Sequence, residues 1–486
     1  MTTRHEFGGF PAPSTRMPFI VSSSVDKVDP ATRKLIRSHV MRGKKKRKRY
    51  PEKVSHGSKV GELTSCTQVE RINLDEVIQM YTPQIPTRIG GDLSFIDFAE
   101  GIELSMLLNI TKVSTVATKV IFPLLAAIGF QAENKEWLYL VGKDAAALHI
   151  TAFAVEIFID RVLRRWEDST NPTAILHLHK GLRLLRERLV GEDDEPKISD
   201  STIGVVLKLA SAAHFNGDYE ASKQHMDGLR KMVDLRGGLD VFNGTRLLLE
   251  MLRYDLDIAL LNGSDPVFYC LPSEKLPDYP AKLMPTSNDS LNLQNSSEFL
   301  QNLDSELATA WRAMRRFCLL VNLGAQTRRL MRPDLIRESM TAVTYRLLRM
   351  KLASGSMDEA IRHGLLAFCH HVFLQWQDIK LPYHYFPTVY RECIQCLKAV
   401  DAVSPQLILW LLMAGAISVF GDEEWLKNDL REYTEKCGVK RWKEIHRTLN
   451  SLMWISLLDE QLGRNIYDSL YLDKSNAGNH GAIILS

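Results

Sequence analysis

The residues best suited to chemistry in this sequence are a run of cations, two cysteine motifs and a few carboxylates. The run is Lys44-Lys45-Lys46-Arg47-Lys48-Arg49, with Arg42 just ahead of it. Consecutive cations repel one another in a packed fold, so the segment must be solvated or matched to anions. Extended, it fits the acidic grooves of a nuclear import receptor. Laid on DNA, it would neutralise phosphates without reading sequence. Arg42, Lys44, Lys45, Lys46, Arg47, Lys48 and Arg49 are therefore the candidate import and phosphate contacts. The bland alternative is a solvated tail.

The remaining groups read mainly as structure. Cys393-Ile394-Gln395-Cys396 is one CxxC with no second pair at zinc spacing, and helical spacing puts Cys393, Cys396 and Val400 on one core face. Cys369-His370-His371 places adjacent histidines in different directions on a helix, so they do not converge on one metal. Asp193-Asp194-Glu195-Pro196 hints at the magnesium site of an all-helical terpene-type enzyme. A proline inside the motif, a Gly-rich loop around it and the lack of a hydroxyl residue in Asn428-Asp429-Leu430-Arg431-Glu432 argue against that site. No P-loop, GxSxG, HExxH or kinase pattern occurs. Asp255 shares a helix face with Leu248, Met251, Leu252 and Ala259, and an unpaired buried carboxylate is costly. Arg253 and Asp255 are thus expected to serve a structural ion pair. No catalytic residue, metal or cofactor is expected.

The elements that carry these residues are helical. Ile203, Val206, Leu207 and Ala210 follow the i, i+3, i+4, i+7 pattern, which Asn216-Gly217-Asp218 breaks. Tyr219 to Leu235 places Ala221, His225, Leu229, Met232 and Val233 on one side, and Arg236-Gly237-Gly238 ends it. Two antiparallel helices joined by a tight turn follow from this. Ala145–Arg165 and Thr173–Leu189 are two further helices parted by Asn171-Pro172. Ala402 to Gly421 carries no charge and mimics a membrane span, but Ser404-Pro405 opens it and Gly421-Asp422 closes it. The helix so bounded, about 16 residues and about 24 Å long, is short of the ~30 Å hydrocarbon core, so a buried core helix is expected and no membrane contact.

Strand signals are almost absent. The predicted fold is all-α, a large irregular helical bundle or helical-hairpin array behind a disordered basic arm. The arm covers 1–60 and includes a short amphipathic helix at Asp29–Met41. A linker follows at 61–90 and a first helical half at 91–263. A Pro/Ser/Asn-rich loop at 264–298 precedes a second half at 299–472 and a flexible tail at 473–486. Composition agrees: 45% of the 486 residues are hydrophobic and 24% charged, which are globular values. The net charge of +3 hides a division. Residues 1–60 hold 15 Lys and Arg against 4 Asp and Glu, a net of +11, while the rest hold 46 against 54, a net of −8. A basic arm on a mildly acidic body points to an anionic partner for the arm. The N-terminus lacks the apolar core of a secretory signal, and seven scattered cysteines do not form a disulfide framework; an intracellular, reduced protein is the expectation.

Several segments, taken in order, resemble ascomycete regulators that carry the fungal-specific transcription factor domain. They are Gly217-Asp218-Tyr219-Glu220-Ala221 through His225-Met226-Asp227-Gly228-Leu229 to Arg236-Gly237-Gly238, then Arg253-Tyr254-Asp255 with Ala259, Gly263 and Pro266. Leu409-Trp410-Leu411-Leu412-Met413-Ala414-Gly415-Ala416 with Trp425 looks like the late core helix of that domain. Ile36-Arg37-Ser38-His39-Val40-Met41 before the basic run looks like the opening of a subset of these proteins. Such regulators typically carry an N-terminal binuclear zinc cluster of six closely spaced cysteines, whereas here only Cys66 precedes residue 270. That module and its major-groove helix are therefore expected to be missing, the chain starting instead with its own arm.

The resemblance implies a nuclear transcription regulator of a secondary-metabolite or catabolic pathway. It would act through the transcription machinery or a DNA-binding partner, with non-specific DNA contacts from the arm. A cytosolic helical scaffold and an all-α enzyme are the competing readings. Oligomeric state and any small effector stay open at this stage.

Overall fold

The structure, a computed structural model, describes residues 142–160, 171–284, 298–376, 379–400 and 403–477, with single positions between 106 and 124. All belong to one compact unit, Ser65–Ser486. The basic run, the Asp29–Met41 helix, Cys66 and the final residues of the tail lie outside the described residues. No strand occurs among the described residues, and the all-α expectation holds.

The continuously described residues begin with α1 (Ala145–Phe158), α2 (Pro172–Val190), the one-turn α3 (Asp194–Lys197) and the hairpin α4 (Asp200–Phe215) and α5 (Tyr219–Leu235). After a 3-10 turn comes α6 (Arg246–Asn262). Beyond the connection follow α7 (Ser305–Thr327), α8 (Pro333–Arg349) and α9 (Met357–Cys369), which runs on into a π turn, His370–Leu374. The last group is α10 (Tyr385–Lys398), α11 (Pro405–Ser418), α12 (Glu424–Lys436), α13 (Trp442–Leu452) and α14 (Ser456–Ala477).

Local chemistry sets these boundaries. Asn171 caps α2, with its side chain accepting the Thr173 and Ala174 amides, and Pro172 occupies the first helical position, where no donor is lost. Asp144 caps α1 through the Ala147 amide at 3.1 Å and also receives Arg188 at 2.7 Å and Ser201 at 2.6 Å, tying α1 to α2 and α4. Between α4 and α5, Gly217 has φ of +79° and a Cβ there would meet Pro382 at 2.9 Å, so only glycine fits the turn. Gly263 ends α6 at φ +65° with the Tyr385 ring against it, leaving 2.0 Å for a Cβ.

The uncharged helix α11 forms the centre. Ser404 caps it, Pro405 starts it, and every residue from Leu407 to Ser418 is buried. Its 14 residues give about 21 Å of helix, and no described helix is long and apolar enough to cross a membrane. Trp410 donates to Met453 O at 2.7 Å and meets Trp311 edge to face at 4.9 Å. One continuous core joins residues before and after the 264–298 segment. The segment parts the helices in sequence, and the two halves pack on each other in space.

Three expectations shift in detail. In α5 the buried stripe is Ser222, Met226, Leu229 and Val233, while Ala221, His225 and Met232 sit at its edge. In α10, Cys393 is buried and Cys396 is exposed. The core line there runs through Phe386, Tyr390, Cys393, Ile394 and Leu397, and Cys396 falls past its edge; α10 ends at Lys398, before Val400. Helix α14 continues to Ala477, past the expected start of the tail.

Candidate functional site

Helix α6 is apolar on most sides yet carries Arg253, Asp255 and Asp257, all buried. Residues two apart on a helix point in nearly opposite directions, whereas residues four apart share a face. Arg253 and Asp257 therefore face one neighbour and Asp255 another. The expected Arg253–Asp255 pair does not form, for that geometric reason.

Asp255 is held by neutral donors. Its carboxylate accepts the Val267 amide at 2.5 Å, the Phe268 amide at 3.0 Å and the Tyr345 hydroxyl at 2.8 Å. It thus pins the chain just after Gly263 onto α8. Burial pushes the Asp255 carboxyl up to about 6, with the two amides and the phenol pulling the other way.

Arg253 and Asp257 both meet the π turn. Arg253 Nε donates to Phe373 O at 3.1 Å, and a terminal nitrogen donates to Leu374 O. A buried guanidinium thereby covers carbonyls that the end of a helix leaves without partners. One turn along, Asp257 Oδ2 accepts from His214 Nε2 at 3.0 Å, and His370 Nε2 lies 3.2 Å from Oδ1 at a poorer angle. The His214 ring stacks on Tyr383 at 5.0 Å, and the Tyr383 hydroxyl donates to His214 O at 2.8 Å. Burial alone would raise the Asp257 carboxyl; the two imidazoles outweigh it and hold the group below the ordinary carboxylate range. With each Nε2 turned toward the carboxylate, Nδ1 of both rings is buried with no hydrogen-bond partner.

The π turn also decides where the adjacent histidines go. It closes with Gln375 N donating to His370 O at 2.7 Å, and His370 and His371 leave the turn towards different helices. His371 Nε2 meets Asp459 of α14 at 2.9 Å, and its Nδ1 faces Gln375 Oε1 at 2.9 Å. Gln375 spends its amide nitrogen on Ser418 O at 3.1 Å, so both His371 ring nitrogens face acceptors. The two histidines thus have separate partners, and among the described residues no group of three or more His, Cys, Asp and Glu side chains is placed to hold a metal ion.

The hub therefore joins α4, α6, the π turn and α14 through paired charges. Its hydrogen bonds and ion pairs tie these elements together. Of its members, the sequence singled out Arg253, His370 and His371 and passed over His214, Asp257 and Asp459. The available signal was Asp257 itself, a charge four residues from Arg253 and on the same face of a largely apolar helix.

The other motifs stay apart. Cys393 Sγ lies 3.6 Å from His363 Nδ1, and burial raises its thiol to about 11, far from a reactive thiolate. Asp193 caps α3 through the Glu195 amide at 3.3 Å, and Asp194 pairs with Lys197 at 2.7 Å. The acidic segment is a capped helical turn, where a loop was expected.

Comparison with family models, with curated proteins and with solved structures found no match.

Proposed function

We propose that this chain is a nuclear transcription regulator of the fungal-specific transcription factor domain type, lacking the zinc cluster and working through protein partners. The observation that carries the reading is the division of charge: +11 over residues 1–60, concentrated at Lys44–Arg49, ahead of a body of net −8. The arm supplies entry to the nucleus and sequence-blind attraction to phosphates, and the helical body supplies contacts with the transcription machinery or a DNA-binding partner.

Two features of the body support it. The residues that carry the family resemblance occupy the joints of the fold: Gly217 and Gly263 at positive φ, Asp255 fastening the next segment, and Trp410 at the centre of the core. A signature at such positions is what a shared fold would preserve. The buried carboxylates of α6, in turn, are engaged by tyrosine, histidine and backbone groups of other elements, which ties the helical body together as a binding scaffold needs.

The test is a fluorescent fusion of the whole chain with Lys44–Arg49 changed to Ala. Nuclear signal in the parent and diffuse signal in the variant are expected; unchanged nuclear accumulation removes the import role. If the seven cations from Arg42 to Arg49 all meet phosphates, log K for duplex DNA falls with log salt at a slope of about −6. Transcript profiling after deletion separates regulator from scaffold, since a scaffold leaves transcripts unchanged.

A further inference from the structure

Helix α2 is built inside out. Its buried side consists of Ala174, Gly181 and Leu185, two of them small. Gly181 lies so close to α1 that a Cβ would come within 2.5 Å of Ile150 Cδ1. The large apolar residues Ile175, Leu176, Leu182, Leu189 and Val190 face outward, with Leu176 53% and Val190 77% exposed. A helix that merely covers a core places its large side chains inward. Five of the fourteen large hydrophobic residues exposed among the described residues lie on this one helix.

Their arrangement is regular. Ile175, Leu182 and Leu189 are spaced by sevens and form one stripe, since seven residues drift only about 20° on a helix. The stripe lies roughly a quarter turn from the buried line. Beside it runs His179 with Arg186, and beyond that Leu176, Arg183 and Val190; Lys180 completes the outer face. Arg183 is 67% exposed and pairs with the similarly exposed Glu187 at 3.8 Å. Lys180 and Arg186 have no ion-pair partner among the described residues.

We propose that this face of α2 docks an amphipathic helix of another protein, one whose apolar stripe is flanked by Asp and Glu. The heptad stripe supplies the seam, and Arg186, with Arg183 beyond it, supplies complementary charge along its outer edge. A second copy of α2 is disfavoured, because it would bring these same cations together. A flat anionic membrane is disfavoured too: Ile175, Leu182 and Leu189 lie on the flank of the helix at 38–41% exposure, where a cylinder fits better than a plane, and Arg183 stands between Leu176 and Val190 on the outermost line. The proposal stands independently of the nuclear reading.

The experiment uses the full chain and a fluorescent three-heptad peptide with Leu along one stripe and Glu beside it. A counterpart with Lys in place of Glu, a short DNA duplex and anionic phosphatidylserine vesicles serve as competing probes. The acidic peptide is expected to bind, and Leu182→Glu to weaken it by about tenfold or more. Arg183→Glu with Arg186→Glu is expected to lose the acidic peptide and gain the basic one. Both variants change exposed positions, and unchanged circular dichroism and melting identify them as folded. Changing Lys44–Arg49 to Ala is expected to leave binding intact. The proposal is overturned if the folded parent does not bind the acidic peptide, or if binding ignores the α2 variants or vanishes with the Lys44–Arg49 change. It also fails if these α2 residues instead mediate DNA binding, vesicle binding or self-association.

Discussion

Helices α6 and α2, of 17 and 19 residues, break the ordinary rule of apolar inside and charged outside in opposite senses. Helix α6 takes Arg253, Asp255 and Asp257 into the core; α2 leaves a row of leucine, isoleucine and valine in water. On α6 each buried charge has partners arriving from elsewhere: carbonyls of the π turn, amides after Gly263, imidazoles of two other elements. On α2 no described partner covers the stripe. A charge inside is tolerated only when the fold completes it, while an apolar face outside is tolerated at little cost and is informative for that reason. The first is a device for holding the body in one arrangement, the second a device for company.

That contrast can be broken most sharply at Asp257. Asp257→Ala leaves His214 and His370 facing a void and is expected to cost about 3–5 kcal/mol, read by denaturant unfolding. A loss under 1 kcal/mol would mean that the hub does not organise the helices. Asp255→Ala strands two amides and a phenol and is expected to cost about 1–3 kcal/mol.

The pH dependence sharpens the comparison within the core. The Asp255 carboxyl moves from 3.8 up to about 6 on folding, so the folded state holds its proton over that window and the unfolded state does not. Its contribution to stability therefore declines as pH rises from about 4 to about 6. Burial, followed by Arg362, pushes His363 down from 6.5 to about 4, so there the unfolded state binds the extra proton and stability rises with pH over that window. Asp257 lies below the ordinary carboxylate range, so its contribution is present above that range and lost in stronger acid. Unfolding measured from pH 4 to 7 in Asp255→Asn should show a steeper gain in stability with rising pH than the parent. An unchanged slope would place the Asp255 proton elsewhere.

The smallest effect is expected on α2. Leu182→Ser should change stability by no more than about 0.5 kcal/mol, whereas Leu185→Ala, one turn on and buried, should cost about 2–4 kcal/mol. A large loss at Leu182 would show that the stripe belongs to the core after all.

Most of the frame was legible in residue order because it rests on local rules. Asn171-Pro172, Ser404-Pro405 and Gly217-Asp218 start or stop helices through their own side chains and backbone, so the hairpin of α4 and α5 and the buried α11 could be read directly. The site was legible only in part. Asp255 announced that it needed a partner, but the partner came from Val267, Phe268 and Tyr345, the last of them 90 residues away. Cys396 was misplaced because a wheel ranks directions without knowing which neighbour arrives. The expected stripe of α5 erred the same way, by a fraction of a turn.

By itself the sequence determined the helical class, the caps and glycine joints, and the separation of a basic arm from an acidic body. These depend on interactions within a few residues or on composition alone. Only the tertiary structure decided that Arg253 and Asp257 clamp the π turn, that His370 and His371 part company, and that α2 turns its large side chains outward. Each of those outcomes depends on which distant helix packs against which face, and short-range spacing does not encode that choice.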